Sequence, residues 1–374
     1  MVTKFSHQLP FLKKLVRINT INPPGNEALC AQLIQDFLGK KFFLRKFFFA
    51  SERINLIVIK DGKEKFLYLC GHMDTVPLGK QKWSVDPFSG EIKEGKLYGR
   101  GASDMKSGLA AMIFAAQRLP SIKRLKRGLV LLFTCAEETF CEGARALVRI
   151  RDQLPPMGAM VVCEPTSNQV CVGHKGAIHY RVTFQGKSAH ASMPHLGINA
   201  IYKACTGVQR IQALELDTPR HPLLGHATLN VGTIDGGENI NSVPDVASIG
   251  LDIRVLPGQT ESEIRANLEE LLGPDVKIEL LNQAPGIYTS PDDPWVSQVM
   301  EVAGEITGET PQPSAVPYFT DASVLTPAFG NPPTVILGPG EPEMAHKTDE
   351  YCYISKLEEA TEIYWKIIEK WCLG

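Results

Sequence analysis

This chain of 374 residues carries no excess of positive charge: 39 Lys and Arg stand against 41 Asp and Glu, a net charge of −2. No stretch interleaves basic with aromatic side chains, so a nucleic-acid groove, which needs a concentrated cationic field, is not expected. Long apolar runs are missing too. The longest aromatic run, Phe42 to Phe49, is broken by Arg45 and Lys46 and falls far short of the roughly 20 apolar residues of a membrane helix. The opening Met1-Val-Thr-Lys-Phe-Ser-His7 has no basic segment followed by an apolar core and a cleavage site. We therefore expect no membrane partner and a cytoplasmic location. Nine cysteines, an odd number, are scattered without a Cys-x-x-Cys pair, which argues against a disulfide framework and against a thiolate zinc site. No low-complexity linker interrupts the chain. A small-molecule substrate is the expectation that remains.

The length exceeds what one hydrophobic core usually serves, so two domains are expected. Helical spacing from Phe11 to Leu38 is broken by the turn Asn22-Pro-Pro-Gly25. Strand-like runs follow at Ile54–Ile59, Phe66–Cys70, Leu129–Cys135 and Ala159–Cys163, with helical patterns at Ser107–Leu119 and Gly143–Ile150 between them. Strands alternating with helices predict an α/β fold with a mostly parallel mixed sheet flanked by helices. Beyond Gly173 the order changes to strand Ile178–Gln185, helix Asn199–Leu214, strands Thr228–Ile234 and Val246–Val255, helix Thr260–Leu272 and strand Val276–Leu281. That is βαββαβ, the order of a ferredoxin-like domain. The first pattern resumes at Trp295, with a strand at Thr334–Leu337 and a helix at Ile354–Trp371. Residues 176–287 are thus read as a domain inserted into one formed by 1–175 and 288–374.

Chemistry-bearing side chains close several of these strand-like runs. In Gly71-His-Met-Asp-Thr-Val-Pro77, His72 and Asp74 face the same side of an extended backbone, so the carboxylate could take one ring N–H of a ligating histidine. A strand-end histidine with a structural hydrogen bond would read the same. Asp104 stands in Gly99-Arg-Gly-Ala-Ser-Asp-Met-Lys106, just before a helix, where capping would explain it equally well. No P-loop is present there, because Met105 occupies the position before Lys106 that a glycine must fill, and Asp104 stands where a dinucleotide fingerprint needs its third glycine. Glu137 and Glu138 follow a strand in Cys135-Ala-Glu-Glu-Thr139; one could hold a cation while its neighbour moves a proton, or both could form an acidic turn. Glu164 closes the strand in Val161-Val-Cys-Glu-Pro-Thr166, with Pro165 ending the ladder. His346 lies in Ala345-His-Lys-Thr-Asp-Glu350, a run of charges that could merely solvate a loop. Together, nitrogen and oxygen donors without thiolates suit a hydrolytic cation site at the carboxyl ends of strands.

These segments resemble the metallopeptidase and deacylase family that includes acetylornithine deacetylase, succinyl-diaminopimelate desuccinylase, aminoacylase and carboxypeptidase G. The resemblance spans essentially the whole chain. It implies two zinc ions, replaceable by cobalt or manganese, with Asp104 bridging them, His72 and Glu164 on one, and Glu138 and His346 on the other. Glu137 is then the general base and Asp74 the residue that orients His72. The inserted segment matches as well, in Phe184-Gln-Gly-Lys-Ser-Ala-His-Ala-Ser-Met-Pro-His195 and Gly236-Gly-Glu-Asn-Ile-Asn-Ser-Val-Pro-Asp245. By that resemblance it acts as a lid and dimerisation domain, His190 supports an oxyanion from the partner subunit of a homodimer, and Asn241 and Arg254 hold substrate.

The implied reaction is hydrolysis of the N-acyl amide of an N-acyl amino acid or diamino acid, releasing a carboxylate and a free amine. Glu164, where aminopeptidases of the family usually carry Asp, favours a deacylase or carboxypeptidase. Tyr318-Phe319 stands where the desuccinylase typically has glycines. Carboxypeptidase or dipeptidase activity is the alternative of the same chemistry. Other classes are a non-catalytic small-molecule-binding protein, against which Glu137 speaks, and a cysteine hydrolase built on Cys135, which has no histidine nearby in sequence.

Overall fold

Three apolar runs, Phe66–His72, Leu129–Thr134 and Met157–Val162, are buried almost throughout, as strands covered on both faces must be. In the computed structural model, which describes residues 7–119, 125–214 and 220–374, they form the centre of a nine-stranded sheet. Residues 1–6 of the N-terminal reading lie outside the described residues. Phe66–His72 runs between the other two and parallel to both, and Thr334–Ile336 adds in parallel to Met157–Val162. Arg53–Lys60 and Phe43–Ala50 continue the sheet antiparallel on one side; Cys171–His174 joins Thr334–Ile336 antiparallel on the other. The fold is therefore α/β with a mixed sheet, parallel at its centre. Register sets where the strands end: His72 pairs with Thr134 and Cys70 with Val162, so the carboxyl ends of three strands open on the same edge.

The edge strand Phe43–Ala50 had no strand signal in its sequence. Its aromatics do not alternate in burial with the basic residues among them, so no period of two is visible, and its pairing with Arg53–Lys60 defines it instead. The helix Ser107–Gln117 is apolar on every side because it packs against both the sheet and the C-terminal helix Ile354–Leu373. Its Gly108 is fixed by close approach: a Cβ there would stand 2.1 Å from the Cys163 carbonyl oxygen. Among the described residues no helix is long and apolar enough to cross a membrane.

His174–Ile287 with Pro317–Phe319 form one compact unit, and the remaining described residues form the other. The smaller unit is built on an antiparallel sheet ordered Thr228–Gly236, Val246–Val255, Gly176–Gln185, Val276–Ala284. The helices Ala200–Gln212 and Glu261–Leu272 complete the chain order βαββαβ. Ile178, Tyr180, Val182 and Phe184 alternate into a core with Ala204, Ile249, Leu251, Ile264 and Leu268, the period of two meeting the period of a helix face. The second helix starts on a capping box between Thr260 and Glu263.

Candidate active site

His72 ends its strand fully enclosed, at 2 % exposure. Its Nδ1 lies 2.9 Å from the main-chain carbonyl of Asp74, which can only accept, so the ring proton belongs on Nδ1 and the Nε2 lone pair points away. The sequence pattern predicts this job for the Asp74 carboxylate. That carboxylate stands 3.7 Å from Nδ1 and does something else: it accepts the amide hydrogens of Glu137 at 3.1 Å and Glu138 at 3.2 Å, and the side-chain amide of Asn22 at 2.9 Å. Asp74 thus orients His72 through its backbone and the acidic turn through its side chain.

The Nε2 of His72 faces two carboxylates, Asp104 Oδ1 at 3.0 Å and Glu164 Oε1 at 3.6 Å. Asp104 turns its other oxygen, Oδ2, to His346 Nε2 at 3.4 Å, and His346 meets Glu138 at 3.2 Å. His72, Asp104 and Glu164 form one group of potential ligands; Asp104, Glu138 and His346 form a second that shares Asp104. No capping bond occupies Asp104: the helix that follows starts at Ser107, and its N-cap makes no side-chain bond. The capping reading of Asp104 gives way to one in which the carboxylate joins two clusters.

Glu350 holds the Asp104 loop in place. Its carboxylate accepts the amide hydrogens of Gly101, Ser103 and Asp104 at 3.0, 2.8 and 2.9 Å and pairs with Arg100 at 2.6 Å. Glu350 is wholly buried, so the reading of its charged run as a solvated loop is corrected at this residue. Its burial pushes the carboxyl up to about 7, against the pull of Arg100 and the amides.

Crowded carboxylates and imidazoles move one another's protons. Burial pushes His72 down, but Glu164 and Asp104 outweigh it and hold the ring well above its usual value. Hydrogen bonds to Asp104 and Glu138 raise His346 to about 10. Burial lifts Glu164 to about 7 and lifts Glu137 and Glu138 as well, while the two histidines bring Asp104 below the usual carboxylate range despite its burial. Three carboxylates face the Nε2 atoms of two imidazoles, a donor set in which a cation can take the place of the ring protons. Oxygen and nitrogen donors without sulfur fit a hydrolytic divalent cation in each group.

Residues 68–370 match the model of Peptidase family M20/M25/M40. The chain belongs to this family. It is 33 % identical to an acetylornithine deacetylase of Proteus mirabilis over 86 % of this chain and 84 % of that one. It is 29 % identical to a probable succinyl-diaminopimelate desuccinylase of Staphylococcus epidermidis over 97 % of this chain and 98 % of the other. Among solved structures, a metallo-carboxypeptidase of the same family from Sulfolobus solfataricus has the same fold, with a TM-score of 0.80 at 18 % identity and 99 % of both chains covered. The protein is accordingly a metal-dependent hydrolase acting on amides.

The remaining expected site residues of this family member belong to the smaller unit. His190 is exposed, and its Nδ1 accepts from the Ser192 amide at 3.1 Å, so Nε2 carries the ring proton. Asn241 is exposed, its carbonyl taking the Ala191 amide at 3.0 Å. Arg254 is engaged already, gripping Asp252 through Nε at 2.9 Å and Nη2 at 3.0 Å. Cys135 makes a poor nucleophile, since burial pushes its thiol far up.

Two participants had no signal in the sequence. Glu350 reads as one more charge in a charged run. Asp321 precedes the helix Ala322–Ala328, yet its side chain caps nothing; it is buried and takes the Thr134 hydroxyl at 2.5 Å.

Proposed function

We propose that this protein cleaves the N-acyl amide of an N-acyl amino acid or diamino acid at a two-cation centre, in the manner of its deacetylase and desuccinylase relatives. The observation that carries the reading is Asp104, which offers one oxygen to each of two donor groups with Glu137 buried beside them. His72 and Glu164 would hold one zinc ion, Glu138 and His346 would hold the other, and Asp104 would offer an oxygen to each. When bound, such cations supply Lewis acidity to the scissile carbonyl and to water.

The chain's own groups then divide the work. Glu137 accepts a proton at its carboxylate and returns it to the departing amine; burial lifts this carboxyl above its ordinary value, which makes its carboxylate the stronger base. Asp74 fixes the amides of Glu137 and Glu138, keeping the proton acceptor and the adjacent donor in register. His190 of a second copy in the homodimer proposed below, with its proton on Nε2, donates to the developing oxyanion. Asn241 and Arg254 hold the substrate; Arg254 keeps Nη1 outside its fork with Asp252.

We propose a homodimer formed through the inserted domain. Support comes from its unusual share of exposed apolar side chains, among them Leu196 at 53 %, Tyr202 at 72 % and Ile240 at 100 % exposure. Parallel assays on N-acetylornithine, N-succinyl-diaminopimelate and several dipeptides test the substrate class. Turnover of an acyl amide supports the reading, and exclusive cleavage of dipeptides overturns it.

A further inference from the structure

Glu137 has a second set of neighbours. Its Oε1 lies 3.7 Å from Cys141 Sγ, and an Asp321 oxygen completes a group whose ligand atoms all lie within 4.8 Å of one another. The local fold explains the pairing. The Cys141 amide bonds back to the Glu137 carbonyl at 2.9 Å, closing a turn whose last two residues, Phe140 and Cys141, take left-handed φ, which brings the thiol over the carboxylate. Asp321, at the start of the helix Ala322–Ala328, enters from elsewhere in the sequence.

All three side chains are closed off from bulk solvent, at 6 % for Glu137, 1 % for Asp321 and none for Cys141. Asp321 commits Oδ2 to Thr134, whereas its Oδ1 is buried without a hydrogen bond of full geometry, the Cys141 thiol being the neighbouring donor to this carboxylate. An orphaned carboxylate oxygen at such depth is an acceptor that wants a cation or a donor. Sulfur decides which cation. A thiolate with two carboxylates suits a borderline or soft divalent ion. With Zn–S near 2.3 Å and Zn–O near 2.0–2.2 Å, a tetrahedral site needs a sulfur–oxygen edge of about 3.5 Å. The Cys141–Glu137 separation of 3.7 Å already approaches that edge. The two groups around Asp104 contain no sulfur, so metal softness separates this third cluster from them.

We propose that Glu137, Cys141 and Asp321 form a distinct site for a thiophilic divalent cation, excess zinc or cadmium, and that its occupation stops turnover by occupying the Glu137 carboxylate. On binding, the Cys141 S–H bond breaks, a sulfur–metal bond forms, and the proton leaves to solvent. The inhibitory half rests on the reading of Glu137 as general base. The site itself does not.

Cadmium is titrated into the holoenzyme already loaded with its metal, while the thiolate-to-cadmium ultraviolet absorption and the turnover of an N-acyl substrate are followed together. The band should saturate as turnover falls. It should vanish in Cys141→Ser, which keeps basal turnover and resists cadmium, and persist in Cys205→Ser, since Cys205 is an exposed lone thiol. Asp321→Asn should weaken cadmium affinity by roughly 10-fold or more, since losing even an outer-shell partner of a metal ligand costs about 10–100-fold. A folded wild-type holoenzyme without the band, or a band that survives in Cys141→Ser, overturns the site. A saturating band without loss of turnover overturns the inhibitory half. In that case Glu137→Ala locates the error: an inactive variant leaves the base reading standing and faults the inhibition, and an active one faults the base reading.

Discussion

Glu350 accepts the amide hydrogen of Asp104 at 2.9 Å from 246 residues further along the chain. The acid that joins the two donor groups is therefore aimed by a buried acid that touches neither histidine. Removing it as Glu350→Ala would leave Arg100 buried and uncompensated, at a cost of about 3–5 kcal/mol. Thermal denaturation should show the loss, and elemental analysis should show weaker metal retention in whatever remains folded. A variant with unchanged melting temperature and metal content would contradict this role.

Asp104 serves both groups and His346 only one. Asp104→Ala should therefore strip metal from both positions, whereas His346→Ala should retain one equivalent per chain under the two-cation scheme. Metal analysis after dialysis against a weak chelator reads the difference. Equal retention in the two variants would remove the case for a shared ligand.

Glu137 offers a cleaner separation of chemistry from binding. Glu137→Ala should keep its metal and lose turnover by roughly 10²–10⁴-fold, the usual contribution of a positioned acid–base group. Steady-state kinetics on matched metal-loaded samples measures it. Normal turnover would refute the role.

His174 gives a pH dependence independent of the metal groups. It is wholly buried, and that burial lowers its ring to about 4 from an ordinary 6.5. Because the folded value lies below the unfolded one, the unfolded chain binds the extra proton first. Stability is full above about 6.5 and is lost as pH falls toward 4, by on the order of 3 kcal/mol. Melting curves across this window should be steeper in pH for the wild type than for His174→Asn, and identical curves would refute it.

Tyr202 is the most exposed aromatic of the smaller unit's apolar surface. If two copies meet there, Tyr202→Glu should shift the sedimentation profile from dimer to monomer. A wild-type chain that sediments as a monomer at all concentrations would remove the proposal.

Much of this was legible in order along the chain, and the reason is physical. A strand covered on both faces must be apolar throughout, so Phe66–His72, Leu129–Thr134 and Met157–Val162 announce themselves, and a polar group at their ends stands out. The alternation of Ile178, Tyr180, Val182 and Phe184 likewise declares a one-sided sheet. The edge strand Phe43–Ala50 escaped because an edge makes no such demand on its residues.

What local pattern determined, then, was the α/β class, the βαββαβ order of the inserted segment and the identity of residues able to hold a cation. Each of those depends on near neighbours in the chain or on the chemistry of one side chain. Which oxygen of Asp104 faces which histidine depended on assembly, as did the use of Asp74 as amide acceptor, the cradle that Glu350 makes, and the meeting of Asp321 with Glu137 and Cys141. Those relations join residues up to 250 positions apart, as Arg100 and Glu350 are. Burial then fixes their meaning, because a carboxylate that would be a solvated charge on a loop becomes, once enclosed, a group that must find donors or a cation.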